Sequence, residues 1–145
     1  MDLEVKTASP QETWDALKSD PTTILVDVRT IAEWDYVGLP DVEALGKEVL
    51  KVEWMEFPEM TRNEQFADEL LAQLGDEDPS TIYFICRSGV RSLNAAKCLL
   101  RAIEGSDRFI HCVNVTGGFE GDHDDHKHRG EINGWKVCGL PWTQP

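Results

Sequence analysis

The chain has 145 residues, of which 41% are hydrophobic and 28% charged, the size and balance of one globular domain with a real core. Asp and Glu outnumber Lys and Arg by 27 to 14, a formal net charge of −13 that repels nucleic acid and anionic membranes and favours encounter with basic partners. No apolar run approaches the roughly 20 residues of a membrane span, and the opening Met1-Asp2-Leu3-Glu4 lacks the basic and apolar regions of a signal peptide, so a cytoplasmic location is expected.

In chain order, Ser9-Pro10-Gln11-Glu12 reads as a helix start, with Ser9 as cap, Pro10 in the first turn and Glu12 reaching back; the helix runs to about Leu17. Residues 22–28 form a continuous apolar, β-branched run, the pattern of a strand covered on both faces. Thr30 caps a short helix through Trp34 and Asp35 that stops near Gly38-Leu39-Pro40, and residues 48–54 alternate enough for a strand. In residues 63–74, Phe66, Leu70, Leu71 and Leu74 recur at helical spacing, and Gly75 ends the helix. Residues 81–85 form a second buried strand. Residues 92–103 form a helix with Leu93, Ala96, Leu99, Leu100 and Ile103 inward. Residues 110–115 form a third clear strand, closed by Thr116-Gly117-Gly118. Apolar strands alternating with helices predict an α/β fold, a mostly parallel sheet with helices on both faces. Residues 1–145 read as one domain: a core over about 3–120, a polar surface loop at 121–130, and a tail at 134–145 packed back by Trp135 and Trp142.

Cys86 stands where the second buried strand meets the short loop Arg87-Ser88-Gly89-Val90-Arg91, directly before a helix. Buried cysteines are mostly inert core fillers. A cysteine that ends a strand at a glycine-containing, doubly basic turn is placed instead for reactivity. A free thiol titrates near about 8.5, and a helix N-terminus with cationic neighbours can lower that to roughly 3.5–7.5. In such sheets ligands bind beyond the carboxyl ends of the strands. Cys86, Arg29 and Gly117-Gly118 all fall at that edge.

The other cysteines, Cys98, Cys112 and Cys138, form no C-x-x-C pair and no disulfide framework; Cys98 and Cys112 lie in apolar runs and read as core. Cys138, in a glycine-rich tail, reads either way, with a resolving thiol as one option. The run Asp122-His123-Asp124-Asp125-His126-Lys127-His128 holds three histidines among aspartates, but its spacing is not that of a closed metal site, and a solvated acidic loop is expected. His111 reads as an interior or strand-end residue, and Trp34, Trp54, Trp135 and Trp142 as core and tail packing.

Three segments occur in an order and spacing that resemble a known family: Leu25-Val26-Asp27-Val28-Arg29 with Glu33-Trp34, Tyr83-Phe84-Ile85-Cys86-Arg87-Ser88-Gly89-Val90-Arg91-Ser92, and Val113-Asn114-Val115-Thr116-Gly117-Gly118-Phe119. Together they resemble the rhodanese domain in its single-domain sulfurtransferase form, over roughly residues 3–145. The resemblance implies a central five-stranded parallel sheet. It also implies a cysteine that takes a sulfane sulfur from a donor such as thiosulfate, becomes a persulfide, and passes the sulfur to cyanide, a thiol or a protein cysteine. By motif position Cys86 is the nucleophile, and Arg87, Ser88, Gly89, Val90, Arg91 and Ser92 cradle the transferred sulfur. Asp27 and Arg29 match positions that are structural and brace the mouth through charge pairing. Many members carry Gly-His-Ile-Pro-Gly-Ala where this chain has Val37-Gly38-Leu39-Pro40-Asp41-Val42, so the histidine is missing.

Covalent catalysis by a thiolate then gives a two-step scheme needing neither metal nor organic cofactor. Arg87 and Arg91 would steady the departing oxyanion through their guanidinium forks, and loop N–H groups would hold the persulfide. Ser88 and Ser92 can donate to bound sulfur, although Ser92 reads better as a helix cap, and Gly89 lets the backbone turn. Two arginines lean toward a sulfur oxyanion as donor. A dedicated persulfide carrier for a partner protein is an alternative. A cysteine phosphatase or arsenate reductase is disfavoured, because four residues separate Cys86 from Arg91, one fewer than such loops use.

Overall fold

The chain folds, in a computed structural model that describes residues 4–56, 59–129 and 132–144, into short strands alternating with four helices. Of the expected loop and tail, residues 130 and 145 lie outside the described residues, as do residues 1–3 at the start of the domain. The elements are β1 (Lys6–Ala8), α1 (Pro10–Ser19), β2 (Thr23–Asp27), α2 (Ile31–Tyr36), β3 (Leu39–Pro40), a 3-10 turn (Glu43–Leu45), β4 (Leu50–Lys51), β5 (Met55–Glu56), β6 (Thr61–Arg62), α3 (Phe66–Leu74), β7 (Thr81–Ile85), α4 (Val90–Ile103), β8 (His111–Val115) and β9 (Trp142–Thr143). Five strands form one parallel sheet in the order β1-β8-β7-β2-β4, while β3–β9 and β5–β6 form two antiparallel ribbons.

Successive residues of a strand point to opposite faces, and the continuous apolar runs therefore feed two cores. On one face Val26, Ile82, Phe84 and Cys112 pack against Phe66, Leu70 and Leu74 of α3 and Ala96, Leu99 and Ile103 of α4. On the other, Leu25, Ile85 and Val115 pack against Leu17 of α1 and against Phe119, Trp135 and Leu140 of the C-terminal segment. Burying a side chain of this size contributes about 1.5–3 kcal/mol, which makes the central strands β2 and β7 the rigid base of the molecule.

Helix α1 starts with a full capping box, Ser9 Oγ accepting from Glu12 N and Glu12 Oε1 accepting from Ser9 N. Helix α2 repeats the device with Thr30 and Glu33. Helix α4 does not: no side chain caps it, and its chain entry is Gly89 at φ +118, a conformation that favours glycine. The helix therefore begins at Val90, two residues before the expected start. That rotation puts Ser92 and Ala95 in the interior and leaves Leu93 half-buried, correcting both the capping role of Ser92 and the inward placement of Leu93.

Other boundaries shift for local reasons. The edge strand β1 is too short and polar to show an apolar run, yet pairs with β8 from Lys6–Val113 to Ala8–Val115. Of residues 48–54 only Leu50–Lys51 forms a ladder strand, although Val52 and Trp54 still donate to the carbonyls of Asp27 and Val28. Helix α3 begins at Phe66 because Asn63 makes a turn first, its Oδ1 accepting from Gln65 N and its carbonyl from Phe66 N. In the tail, Trp135 is fully buried, donates Nε1–H to the Pro141 carbonyl at 2.7 Å and meets Trp14 edge-on; Trp142 sits at the surface in β9, 40% exposed.

Candidate active site

Register carries the site to one sheet edge. Strands β2 and β7 pair from Thr23–Thr81 to Asp27–Ile85, so both end level, with Cys86 the next residue after β7. The turn after β8 then holds the Cys86 loop from behind: Phe119 N donates to the Cys86 carbonyl at 2.8 Å, and Glu120 N and Gly121 N to the Arg87 carbonyl at 3.0 and 3.1 Å. Gly118, at φ +61, allows this approach, since a Cβ there would lie 2.5 Å from the Cys86 carbonyl oxygen.

The Cys86 side chain is 1% exposed and lies at the floor of an open cleft of about 230 Å³. Its sulfur accepts from Gly89 N–H at 3.1 Å and lies 3.2 Å from Ser92 Oγ. Ser92 Oγ donates to Asn114 Oδ1 at 2.5 Å, and Asn114 Nδ2 donates to the Gly89 carbonyl at 3.0 Å. These bonds link the sulfur, Gly89, Asn114 and Ser92 into one closed ring at the N-terminal end of α4, where the helix macrodipole is positive. Gly89 N–H is the donor already aimed at the sulfur, while the Ser92 hydroxyl is held beside it by Asn114.

The six loop positions are not equivalent. Gly89 and Ser92 touch the sulfur. Ser88 and Val90 line the cleft, Val90 being 69% exposed. Arg87 lines it too and is exposed. Arg91 is half-buried, and its fork is taken by Glu33: Nη1 donates to Oε1 at 2.6 Å and Nη2 to Oε2 at 2.8 Å. Burial pushes the Glu33 carboxyl up, but the hydrogen bonds and charge of Arg91 outweigh it and hold Glu33 below the usual carboxylate range. Burial likewise depresses Arg91, and the bonds from Glu33 more than reverse it. Of the two loop arginines, Arg91 is thus paired with Glu33, while Arg87 is exposed.

Asp27 and Arg29 form a fully buried ion pair. Arg29 Nε lies 3.0 and 3.1 Å from the two Asp27 oxygens, and Nη2 donates to Asp27 Oδ2 at 2.7 Å and to the Gly38 carbonyl at 2.6 Å. The guanidinium also stacks 4.4 Å from the centre of the Phe119 ring. Among the described residues no hydrogen bond joins either side chain to the Cys86 loop.

The remaining candidates lie elsewhere. Cys112 is buried, and desolvation pushes its thiol up to about 12. Cys98 is half-buried, packed against the edge of the core and beside Arg62, and Cys138 is exposed. His111 is exposed at the start of β8, edge-on to Phe109. In the acidic loop Asp124 Oδ1 accepts from His126 N and His128 N, and among the described residues no group of three or more His, Cys, Asp or Glu is placed to hold a metal ion. No helix among the described residues is long and apolar enough to cross a membrane.

Three site residues receive no role from the sequence, although Glu33 and Asn114 stand within the motif segments. Asn114 carries one signal, a polar side chain inside the apolar run of β8. Glu33 carries another, since the capping box of α2 fixes its backbone, but its partner lies 58 residues away. Met60 reaches the cleft from the β5–β6 ribbon, which no apolar pattern announces.

The chain is similar to known proteins along nearly its whole length. An uncharacterized protein of Rickettsia conorii is 33% identical over 140 residues, covering 97% of this chain and 98% of the relative. The crystal structure of Rv0390 from M. tuberculosis superposes with a TM-score of 0.81 at 41% identity, covering 97% and 98% of the two chains. The solution structure of the polysulfide-sulfur transferase homodimer from Wolinella succinogenes shares the fold, with a TM-score of 0.57 at 20% identity over 97% of this chain and 80% of that one. The family model for the rhodanese-like domain matches residues 9–125, and the chain belongs to that family.

Proposed function

We propose that the protein is a sulfurtransferase that carries a sulfane sulfur on Cys86. In the first half-reaction the Cys86 thiolate attacks the outer sulfur of a donor such as thiosulfate. A Cys86 Sγ–S bond forms, the donor S–S bond breaks, and its electron pair leaves with sulfite. In the second half-reaction a thiolate or cyanide attacks the terminal sulfur, and the electron pair of the Sγ–S bond returns to Cys86. Both steps are displacements at sulfur, with no net oxidation and no cofactor in either.

The observation that carries this reading is the environment of the Cys86 sulfur, with one backbone donor and one hydroxyl on it at the floor of a cleft. Such a cup suits a single added sulfur atom, and the N-terminal end of α4 favours a negative charge there. Cyanide, a small thiol or a protein cysteine can each reach the terminal sulfur through a mouth lined by Glu33, Arg87, Ser88, Met60, Val90 and Arg91. Four free cysteines suit a reducing, cytoplasmic setting.

The test is intact mass after exposure to thiosulfate. Wild type is expected to gain one sulfur atom that cyanide or a thiol removes, and Cys86→Ser to gain none while keeping its circular dichroism. Sulfur uptake by Cys86→Ser would transfer the role to another cysteine.

A further inference from the structure

The Glu33 carboxylate is held in place from two sides: Oε1 accepts from Thr30 N and Thr30 Oγ1 at 3.2 Å each as well as from Arg91, and Oε2 accepts from Arg91. Both ends of the Arg91 fork therefore face a resident anion. Bidentate pairing is how arginine grips sulfonate or carboxylate oxygens, and here the grip is already used. Glu33 itself lines the cleft above Cys86. At the mouth Glu33 and Arg91 sum to zero, Arg87 adds one exposed positive charge, and the reacting thiolate cancels it.

We infer that Glu33 is a specificity-determining residue: by occupying the Arg91 fork it biases the Cys86 site toward sulfur donors that bring a single negative charge, and against dianionic sulfur oxyanions. The inference rests on the sulfur-transfer reading and names the donor class for it. A thiosulfonate or an organic persulfide carries one charge. Thiosulfate carries two, and its sulfonate end would have to displace Glu33 or rely on Arg87 alone. Cys86 attacks the outer sulfur of either donor in the same way; sulfite leaves thiosulfate and a sulfinate leaves a thiosulfonate.

Methanethiosulfonate and thiosulfate make a matched pair of probes, alike in the sulfur transferred and unlike by one charge. The measurement is kcat/KM for both donors, with cyanide as acceptor, in wild type and Glu33→Gln. Gln also serves at the third position of a capping box, so α2 keeps its start. Removing the carboxylate charge frees Arg91, and the ratio of thiosulfate to methanethiosulfonate efficiency is expected to rise about tenfold, with a steeper salt dependence for thiosulfate. Equal loss toward both donors would show a purely structural Glu33 and overturn the inference alone, as would a ratio that does not move. If Glu33→Gln fails to fold, Glu33→Asp keeps the charge but withdraws it from the fork; a smaller rise is expected, and a wild-type ratio would overturn the inference. Wild type that takes sulfur from neither donor would overturn the sulfur-transfer reading together with it.

Discussion

The Ser92 hydroxyl lies 3.2 Å from the Cys86 sulfur while donating to Asn114 Oδ1 at 2.5 Å. With its proton engaged there, the Ser92 hydroxyl does not donate to the sulfur in this arrangement. Once the sulfur is anionic or persulfidated, the hydroxyl is free to turn and donate to it. Ser92→Ala is expected to slow sulfur loading about tenfold or more, the cost of one hydrogen bond to a charged atom, about 1.5–3 kcal/mol. It should also leave Asn114 Oδ1 without its donor and lower stability by about 1–3 kcal/mol. The check is the loading rate followed by mass alongside a urea melt. Unchanged loading in a destabilised protein would make Ser92 a packing residue.

Gly118 governs the same loop from outside the motif. A methyl group there would meet the Cys86 and Arg87 backbone at 2.5–2.6 Å, and neither neighbour is a flexible side-chain end. The positive φ adds strain for any residue with a Cβ. Gly118→Ala is expected to cost about 1–3 kcal/mol and to reduce sulfur loading beyond what the stability loss explains, because the Phe119 N–H bond to Cys86 must lengthen. Thermal unfolding and loading measured below the melting temperature separate the two effects.

Much of this architecture is local and therefore legible in the chain. Strands β2, β7 and β8 are apolar runs covered on both faces, and Ser9-Pro10 and Thr30 write their caps into adjacent residues. Cys86 at the strand–loop–helix junction follows from the same local signals. The paired charges resist such a reading. The motif sets Arg91 with Arg87, and only tertiary structure brings Glu33 to Arg91 across 58 positions. Ser92 ahead of an apolar-periodic stretch looks like a cap until the left-handed Gly89 starts the helix earlier and turns the hydroxyl inward. Strand β1 has no hydrophobic signal because an edge strand of three residues takes its stability from pairing with β8 rather than from burial.

The Asp27–Arg29 pair is fully desolvated, with the guanidinium also bonded to Gly38 and stacked on Phe119. Removing one partner leaves an uncompensated buried charge, so Asp27→Ala is expected to destabilise by about 3–5 kcal/mol. Arg29→Lys should not rescue the wild-type value, since an ammonium cannot hold Asp27 and Gly38 in the planar geometry of the fork. Both side chains knit β2 to the segment before β3, so sulfur loading should fall only as far as the folded fraction does. Urea midpoints for the two variants, with loading normalised to folded protein, check this.

Cys112 gives the fold an alkaline limit. Its thiol is pushed from 9.0 up to about 12 by desolvation in the core beneath α4. A folded-state value above the unfolded one means that the stabilising contribution is intact below about pH 9 and is lost progressively as pH climbs toward 12, because the unfolded chain releases the proton first. Wild type should therefore lose stability across that window. Cys112→Ala, although less stable at neutral pH for want of the sulfur's packing, should show a shallower decline. The measurement is the urea midpoint at stepped pH from 8 to 11 for both proteins, roughly the span in which an ordinary thiol ionises. Parallel curves would assign the alkaline loss to other groups and remove Cys112 from the explanation.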